Sequence, residues 1–307
     1  MYYINFIFIL IIYVQINAQS FPFDTIVTFG DSNTDNGNVY NLTNHQWPIV
    51  SPYYEGRFTN GLIWLDKLKI PCIKNYAYGD ATIDNDNLLV GFTGPNRTLV
   101  PGIRQQIVDY LAVNDINNVD LSRTLYVIWA SGNEYFIDSN ISSDIVVTAL
   151  LTTVYDLLVV GIKYLIIMNL LPLQLYPGMN LNQNLTTLVI NHNNRLISNI
   201  TQIKLEYPHV SIQIFDIYSL IKTILSNNSL FNFNKVNACW NISNYSIISQ
   251  CRNPSEYVFI DKYHFTSSIH EIIADNIQQF ISSSLSISLK TFSHMNLCIF
   301  IFIIKIY

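Results

Sequence analysis

The chain has 307 residues, half of them hydrophobic and 12% charged, which is enough apolar mass for a large buried core and far from the composition of a disordered chain. Its net charge of -5, with 16 Lys plus Arg and no basic cluster, leaves no electrostatic footprint for a polyanion, so nucleic acid is not an expected partner.

From the N-terminus, Met1 to Ala18 holds the apolar run Phe6 to Val14 and ends in Ile16-Asn17-Ala18, with a small residue at the cleavage position. This pattern predicts a secretory signal peptide over 1–18, although Lys and Arg are missing from its start; the run is too short to span a bilayer. Asn-x-Ser/Thr sequons at Asn41, Asn96, Asn140, Asn184, Asn199, Asn227, Asn241 and Asn244 fit an extracellular glycoprotein, weakly in a chain this rich in Asn.

Strand-like apolar runs are predicted at Thr25 to Phe29, Thr124 to Ala130, Tyr164 to Asn169 and Val210 to Phe215, with a weaker one at Asn75 to Tyr78. Helical patterns alternate with them at Gly61 to Lys69, Ile103 to Val113, Ser143 to Val160, Leu185 to Leu205, Tyr218 to Leu225 and Thr266 to Ile281. Such alternation argues for an α/β fold with a mostly parallel central sheet, and the lack of any linker or repeat gives one domain over 19–284. Cys239 and Cys251 bracket a polar loop and are expected to pair in an oxidising compartment, whereas Cys72, within Ile70-Pro71-Cys72-Ile73, reads as a buried free thiol. The end, 285–307, is an apolar tail after Ser282-Ser283-Ser284, with the elements of a lipid-anchor signal but a short hydrophobic stretch interrupted by Lys305.

Chemistry concentrates at predicted strand ends, where parallel sheets gather their sites. The first strand runs into Gly30-Asp31-Ser32-Asn33; Gly79 follows the weak strand; Asn133 follows the strand from Thr124; and Asp261 and His264 follow the apolar pulse Tyr257 to Ile260. The Asp-x-x-His spacing lets one turn bring a carboxylate to the imidazole Nδ1 so that Nε2 faces a nucleophile, and Ser32 is the nucleophile on offer. Gly79 can present a backbone N–H and Asn133 an amide N–H, donors suited to an oxyanion. Taken singly, Asp31, Ser32, Asn133 and Asp261 read equally as helix caps and Gly79 as a turn glycine. His270, the rival base, has no acid three residues before it and reads as structural. No Gly-x-Ser-x-Gly elbow, metal-ligand spacing or cofactor motif stands in the sequence.

With these four blocks in order, the chain resembles the SGNH hydrolases, or GDSL-type lipases and esterases, from about Thr25 to Ile281. Flanking text is similar as well, in Thr34-Asp35-Asn36-Gly37-Asn38, in Gly56-Arg57-Phe58-Thr59-Asn60-Gly61 and in Asn253-Pro254. The resemblance implies a three-layer α/β/α sandwich of flavodoxin-like type. It makes Ser32 the nucleophile, His264 the general base and acid, Asp261 the orienting carboxylate, and Ser32, Gly79 and Asn133 the oxyanion hole. The chain departs from the family text at Asn33, Ser131, Glu134 and Phe265, which bears on the positioning of Asn133 and His264 and hence on rate.

The expected function is that of a secreted serine esterase working through an acyl-enzyme without a cofactor. The run Phe29 to Asn38 and "WASGNEYF" look most like the fungal carbohydrate acetylesterase branch, implying acetylated sugars or glycans as the ester substrate, with Trp47, Tyr53 and Tyr54 as candidate sugar contacts. The alternatives are a long-chain lipase or phospholipase, a catalytically weakened carbohydrate-binding protein, and a lipid-anchored cell-surface location.

Overall fold

The computed structural model describes residues 22–285 apart from 131, 180–182, 228–230, 232 and 234; the leader, the tail from 286 and Ser131 lie outside the described residues. In chain order the elements are β1 (Thr25–Gly30), α1 (Asn38–Leu42), β2 (Cys72–Asn75), β3 (Phe92–Thr93), β4 (Thr98–Leu99), α2 (Ile103–Val113), β5 (Thr124–Trp129), α3 (Asn133–Ile137) and α4 (Ser143–Val159). There follow β6 (Tyr164–Met168), α5 (Gln183–Glu206), β7 (Ser211–Phe215), α6 (Ile217–Ser226), β8 (Lys235–Ala238), β9 (Trp240–Ser243), β10 (Ser246–Gln250), β11 (Tyr257–Phe259) and α7 (Ser267–Phe280).

Five strands form one parallel sheet in the order β2-β1-β5-β6-β7. Numbered within the sheet this is 2-1-3-4-5, the flavodoxin-like order, whose direction of winding reverses between β1 and β5. β5 and β6 are buried at every position and β1 at all but its first, which is why they read as unbroken apolar runs: with both faces of the sheet covered, no position is left for a polar residue. α4 packs against α2 and α5, and Ile107, Val154, Leu157 and Leu196 join the strands in one core. No helix among the described residues is long and apolar enough to cross a membrane.

Three expectations are corrected. The weak strand lies at Cys72–Asn75 instead of Asn75 to Tyr78, because as an edge strand it pairs only with β1 and has no wholly buried position to mark it. Cys72 is accordingly exposed, not buried. The expected helix over Gly61 to Lys69 is a single 3-10 turn, Leu65–Lys67; Leu65 within it and Ile63, Trp64 and Leu68 of the flanking loop are buried, and their spacing imitated a helix face.

Outside the sheet, Cys239 and Cys251 form a disulfide with a Cα–Cα distance of 5.1 Å, closing the β9–β10 hairpin. β8 pairs with β11, so the pulse before Asp261 is a strand of a separate small ladder, not of the main sheet. Cys239 N–H and Trp240 N–H donate to the carbonyls of Phe259 and Ile260 at 3.0 and 2.7 Å, tying the hairpin to the chain that leads into Asp261.

Candidate active site

Ser32 stands two residues past the end of β1 and Asn133 four past the end of β5, so the two flank the point where the sheet reverses its winding, the crevice where open α/β sheets bind ligands. The strand end is pinned by Gln106 of α2, fully buried, which accepts from Gly30 N–H at 2.9 Å and donates to Gly30 O at 3.0 Å. Gly30 itself has no room for a side chain, since a Cβ would stand 2.8 Å from Trp129 O on the neighbouring strand. Neither Asp31 nor Ser32 caps α1: Asp35 does, accepting from the N–H groups of Gly37, Asn38 and Val39, while Asp31 accepts from Asn33.

From the opposite end of the chain, His264 Nε2 reaches Ser32 Oγ at 3.0 Å. Its Nδ1 lies 2.9 and 2.8 Å from the two oxygens of Asp261, which also accepts the N–H groups of Tyr263 and His264 at 2.8 and 2.9 Å. Asp261 therefore takes no part in capping α7. Burial presses its carboxyl upward, but His264, the Tyr53 hydroxyl and the Tyr263 N–H outweigh that and hold it below the ordinary carboxylate value. Burial presses the His264 imidazole down, yet Asp261, with smaller contributions from Asp80 and Asp31, carries it net above its usual value.

Asn133 Nδ2 donates one hydrogen to Ala81 O at 2.7 Å, which fixes the amide at the cleft wall and leaves its second hydrogen for a ligand. Beside it Glu134 is wholly buried and accepts Ile83 N–H at 2.6 Å, lashing the start of α3 to the same loop; desolvation pushes its carboxyl up to about 7.

Gly79 does not take the place expected of it. Its N–H donates to Asp35 Oδ2 at 2.8 Å and it does not line the cleft. It is glycine because the Phe58 ring lies 2.2 Å from where a Cβ would sit, and Phe58 in turn stacks, tilted, 5.2 Å from the His264 ring. The next residue, Asp80, lines the cleft, has a φ of 65° and carries a main-chain N–H that, like that of Ser32, makes no hydrogen bond among the described residues. Asp80 Oδ2 accepts from Thr93 Oγ1 at 2.7 Å.

Ser32, Asn133 and His264 open on a cleft of about 280 Å³ that has a polar side with Asp31, Asn33, Asp80 and Tyr263 and an apolar wall of Phe92, Trp129, Phe136, Ile137, Leu170, Leu171, Leu173 and Tyr176. The aromatic residues expected to receive a sugar are elsewhere. Trp47 and Tyr53 are only 8% and 3% exposed, drawn into packing around Phe58, and Tyr54 is exposed but off the cleft. Tyr53 instead donates its hydroxyl to Asp261 Oδ2 at 2.5 Å. Sequence gave no sign of that bond, which joins residues 208 positions apart, nor of Gln106; Asp35 and Phe58 stood inside the flanking text without a role. His270 is buried within α7 and held far below its ordinary pKa, at about 3, by desolvation. No group of three or more His, Cys, Asp or Glu placed to hold a metal occurs among the described residues.

The model of the GDSL-like Lipase/Acylhydrolase family matches residues 26–277. A phosphatidylcholine-sterol acyltransferase of Aeromonas hydrophila is 32% identical over 123 residues, which are 38% of this chain and 35% of that protein. The secreted effector protein SseJ of Salmonella typhimurium is 24% identical over 273 residues, 84% of this chain and 63% of that protein. The chain thus spans about a third of the first relative and under two thirds of the second. Among solved structures, a lipolytic G-D-S-L family member from Veillonella parvula is 13% identical with a TM-score of 0.48, covering 84% of this chain and 98% of that one.

Proposed function

The chain belongs to the GDSL-like lipase/acylhydrolase family, and from that premise we propose that it is a carboxylic ester hydrolase that works through an acyl-enzyme on Ser32 and takes esters with an apolar acyl chain. The observation that carries this reading is the 3.0 Å contact of His264 Nε2 with Ser32 Oγ at the mouth of a cleft with one apolar wall, with Nδ1 held by Asp261.

In the proposed cycle, Ser32 Oγ attacks the ester carbonyl carbon while its proton passes to His264 Nε2, and Asp261 stabilises the imidazolium so formed. The carbonyl oxygen, now an oxyanion, is held by Ser32 N–H and the free hydrogen of Asn133 Nδ2. The third donor falls to Asp80 N–H, since that of Gly79 is taken by Asp35. Collapse expels the alcohol, which leaves with the proton from His264. A water then attacks the acyl-enzyme, gives its proton to His264 and releases the carboxylic acid as Ser32 recovers its hydrogen.

The acyl group is read from the cleft. Its Leu170, Leu171, Leu173, Phe136 and Ile137 offer methylene contacts beside the exposed rings of Phe92 and Tyr263, and the Aeromonas relative's name, with phosphatidylcholine and a sterol in it, fits the same direction. Acetylated carbohydrate, the substrate implied by the fungal branch, loses the support of Trp47 and Tyr53. Secretion is part of the proposal, supported by the leader pattern of Met1 to Ala18 and the Cys239–Cys251 disulfide. It is also in keeping with sequons whose asparagines Asn41, Asn96, Asn140, Asn199, Asn227, Asn241 and Asn244 are all exposed.

The test is fluorophosphonate labelling together with p-nitrophenyl ester hydrolysis, comparing the native protein with Ser32→Ala. A labelled, active native protein beside a folded, unlabelled Ser32→Ala variant slower by about a thousandfold or more is the expected result. Equal turnover in a folded Ser32→Ala protein overturns the assignment.

A further inference from the structure

The geometry points to Tyr53 as a positioning residue of the hydrolytic site, fixing the Asp261 carboxylate through its hydroxyl and setting how strongly that carboxylate pulls on His264. This inference rests on the Ser32–His264–Asp261 reading above. Asp261 Oδ1 is held by two backbone N–H groups, but Oδ2 has, among the described residues and apart from the shared His264 Nδ1, only the Tyr53 hydroxyl at 2.5 Å. Without it that oxygen would keep one bifurcated contact, and the carboxylate plane would be free to swing about Oδ1.

The donor is itself held on several sides. The Tyr53 ring meets Trp240 edge-on at 5.1 Å, Trp47 at 6.2 Å and Phe58 at 6.3 Å. Trp240 follows Cys239 of the disulfide and donates its N–H to Ile260 O, next to Asp261, at 2.7 Å. The hairpin closed by the disulfide is thus the back wall against which Tyr53 leans, and Phe58 carries the same aromatic group across to the His264 ring at 5.2 Å. Burial and the adjacent Asp261 charge raise the phenol far above its usual pKa, so it is a donor at neutral pH.

A hydrogen bond to a charged group affects equilibria by about ten- to a hundredfold, and this sets the expected loss. Tyr53→Phe keeps the ring and its cage and removes one oxygen, so kcat should fall by about ten- to a hundredfold with KM within about twofold. The sign of the pH effect follows from charge. Asp261 relieved of a donor is more basic and holds imidazolium more tightly, while the other groups facing His264, which are Asp80, Asp31 and the buried His270 of α7, are unchanged. The acid limb of kcat/KM, and the His264 titration followed by NMR, should therefore move up in pH. Replacing Tyr53 by 3-fluorotyrosine, a stronger donor, should move both down, and this second variant carries the test if Tyr53→Phe does not fold.

Ser32→Ala is run beside them: a fully active folded Ser32→Ala protein removes the hydrolytic reading itself. With Ser32→Ala inactive, opposite shifts in the two Tyr53 variants establish the inference. A His264 titration that neither variant moves, whatever the change in rate, reduces Tyr53 to packing and overturns it.

Discussion

The acyl cleft permits a quantitative expectation, in which the perturbation is the length of the acyl chain on a common aryl leaving group. A cleft of about 280 Å³, part of it taken by the ester group between Ser32, Asn133 and His264, has room for an acyl chain of medium length. Each buried methylene contributes about 0.8 kcal/mol. From acetyl to hexanoyl the four added methylenes give about 3 kcal/mol, or roughly 200-fold in kcat/KM if fully buried and about 15-fold if only half covered. The gain should continue to about octanoyl or decanoyl and stop where the walls end. The assay is a p-nitrophenyl ester series from acetyl to dodecanoyl, each below its micelle concentration, paired with acetate release from acetylated xylo-oligosaccharides. Ile137, on the wall and 52% exposed, can be changed with little risk to the core; Ile137→Asn should slow the octanoyl ester several-fold more than the acetyl ester. A series that is flat or highest at acetyl, with acetate freed from the glycan, would refute the reasoning and return the substrate to the sugar esters.

Asn133→Ala removes one proposed oxyanion donor and should lower kcat by roughly a hundred- to a thousandfold with little change in KM; a variant within about threefold of native would take Asn133 out of the hole. For pH, only neutral His264 can accept the Ser32 proton, and its pKa is raised from an ordinary value near 6.5. The rate should therefore fall with decreasing pH from a midpoint above about 6.5, and a flat profile from pH 5 to 8 would exclude a histidine base.

Much of this arrangement was legible in the sequence, for physical reasons that differ from residue to residue. β1, β5 and β6 are sandwiched between helices and announce themselves as unbroken apolar runs; β2, at the edge, has no such signature and was displaced by three residues at its start. Ser32, Asp261 and His264 stand out because the proposed nucleophile, acid and base each occupy a short motif at a strand end. What could not be read were relations between motifs. That Asp35 takes the Gly79 N–H, that Phe58 excludes a side chain at Gly79, and that Tyr53 faces Asp261 instead of solvent are facts of packing across tens to hundreds of residues. The aromatic cluster near Trp47 carried the right composition for a sugar platform, and burial turned it into a scaffold.

The contact between Ser32 and His264 joins residues 232 positions apart, one just past the first strand of the sheet and the other just before the last helix. A ribosome therefore releases nearly the entire domain before the proposed nucleophile meets its proposed base, and pairings of such long sequence separation are slow to close. Every truncated or half-folded copy carries an unactivated serine hydroxyl. On the proposed mechanism, a copy cut short before His264 lacks the base that would activate Ser32 and is expected to cleave no ester.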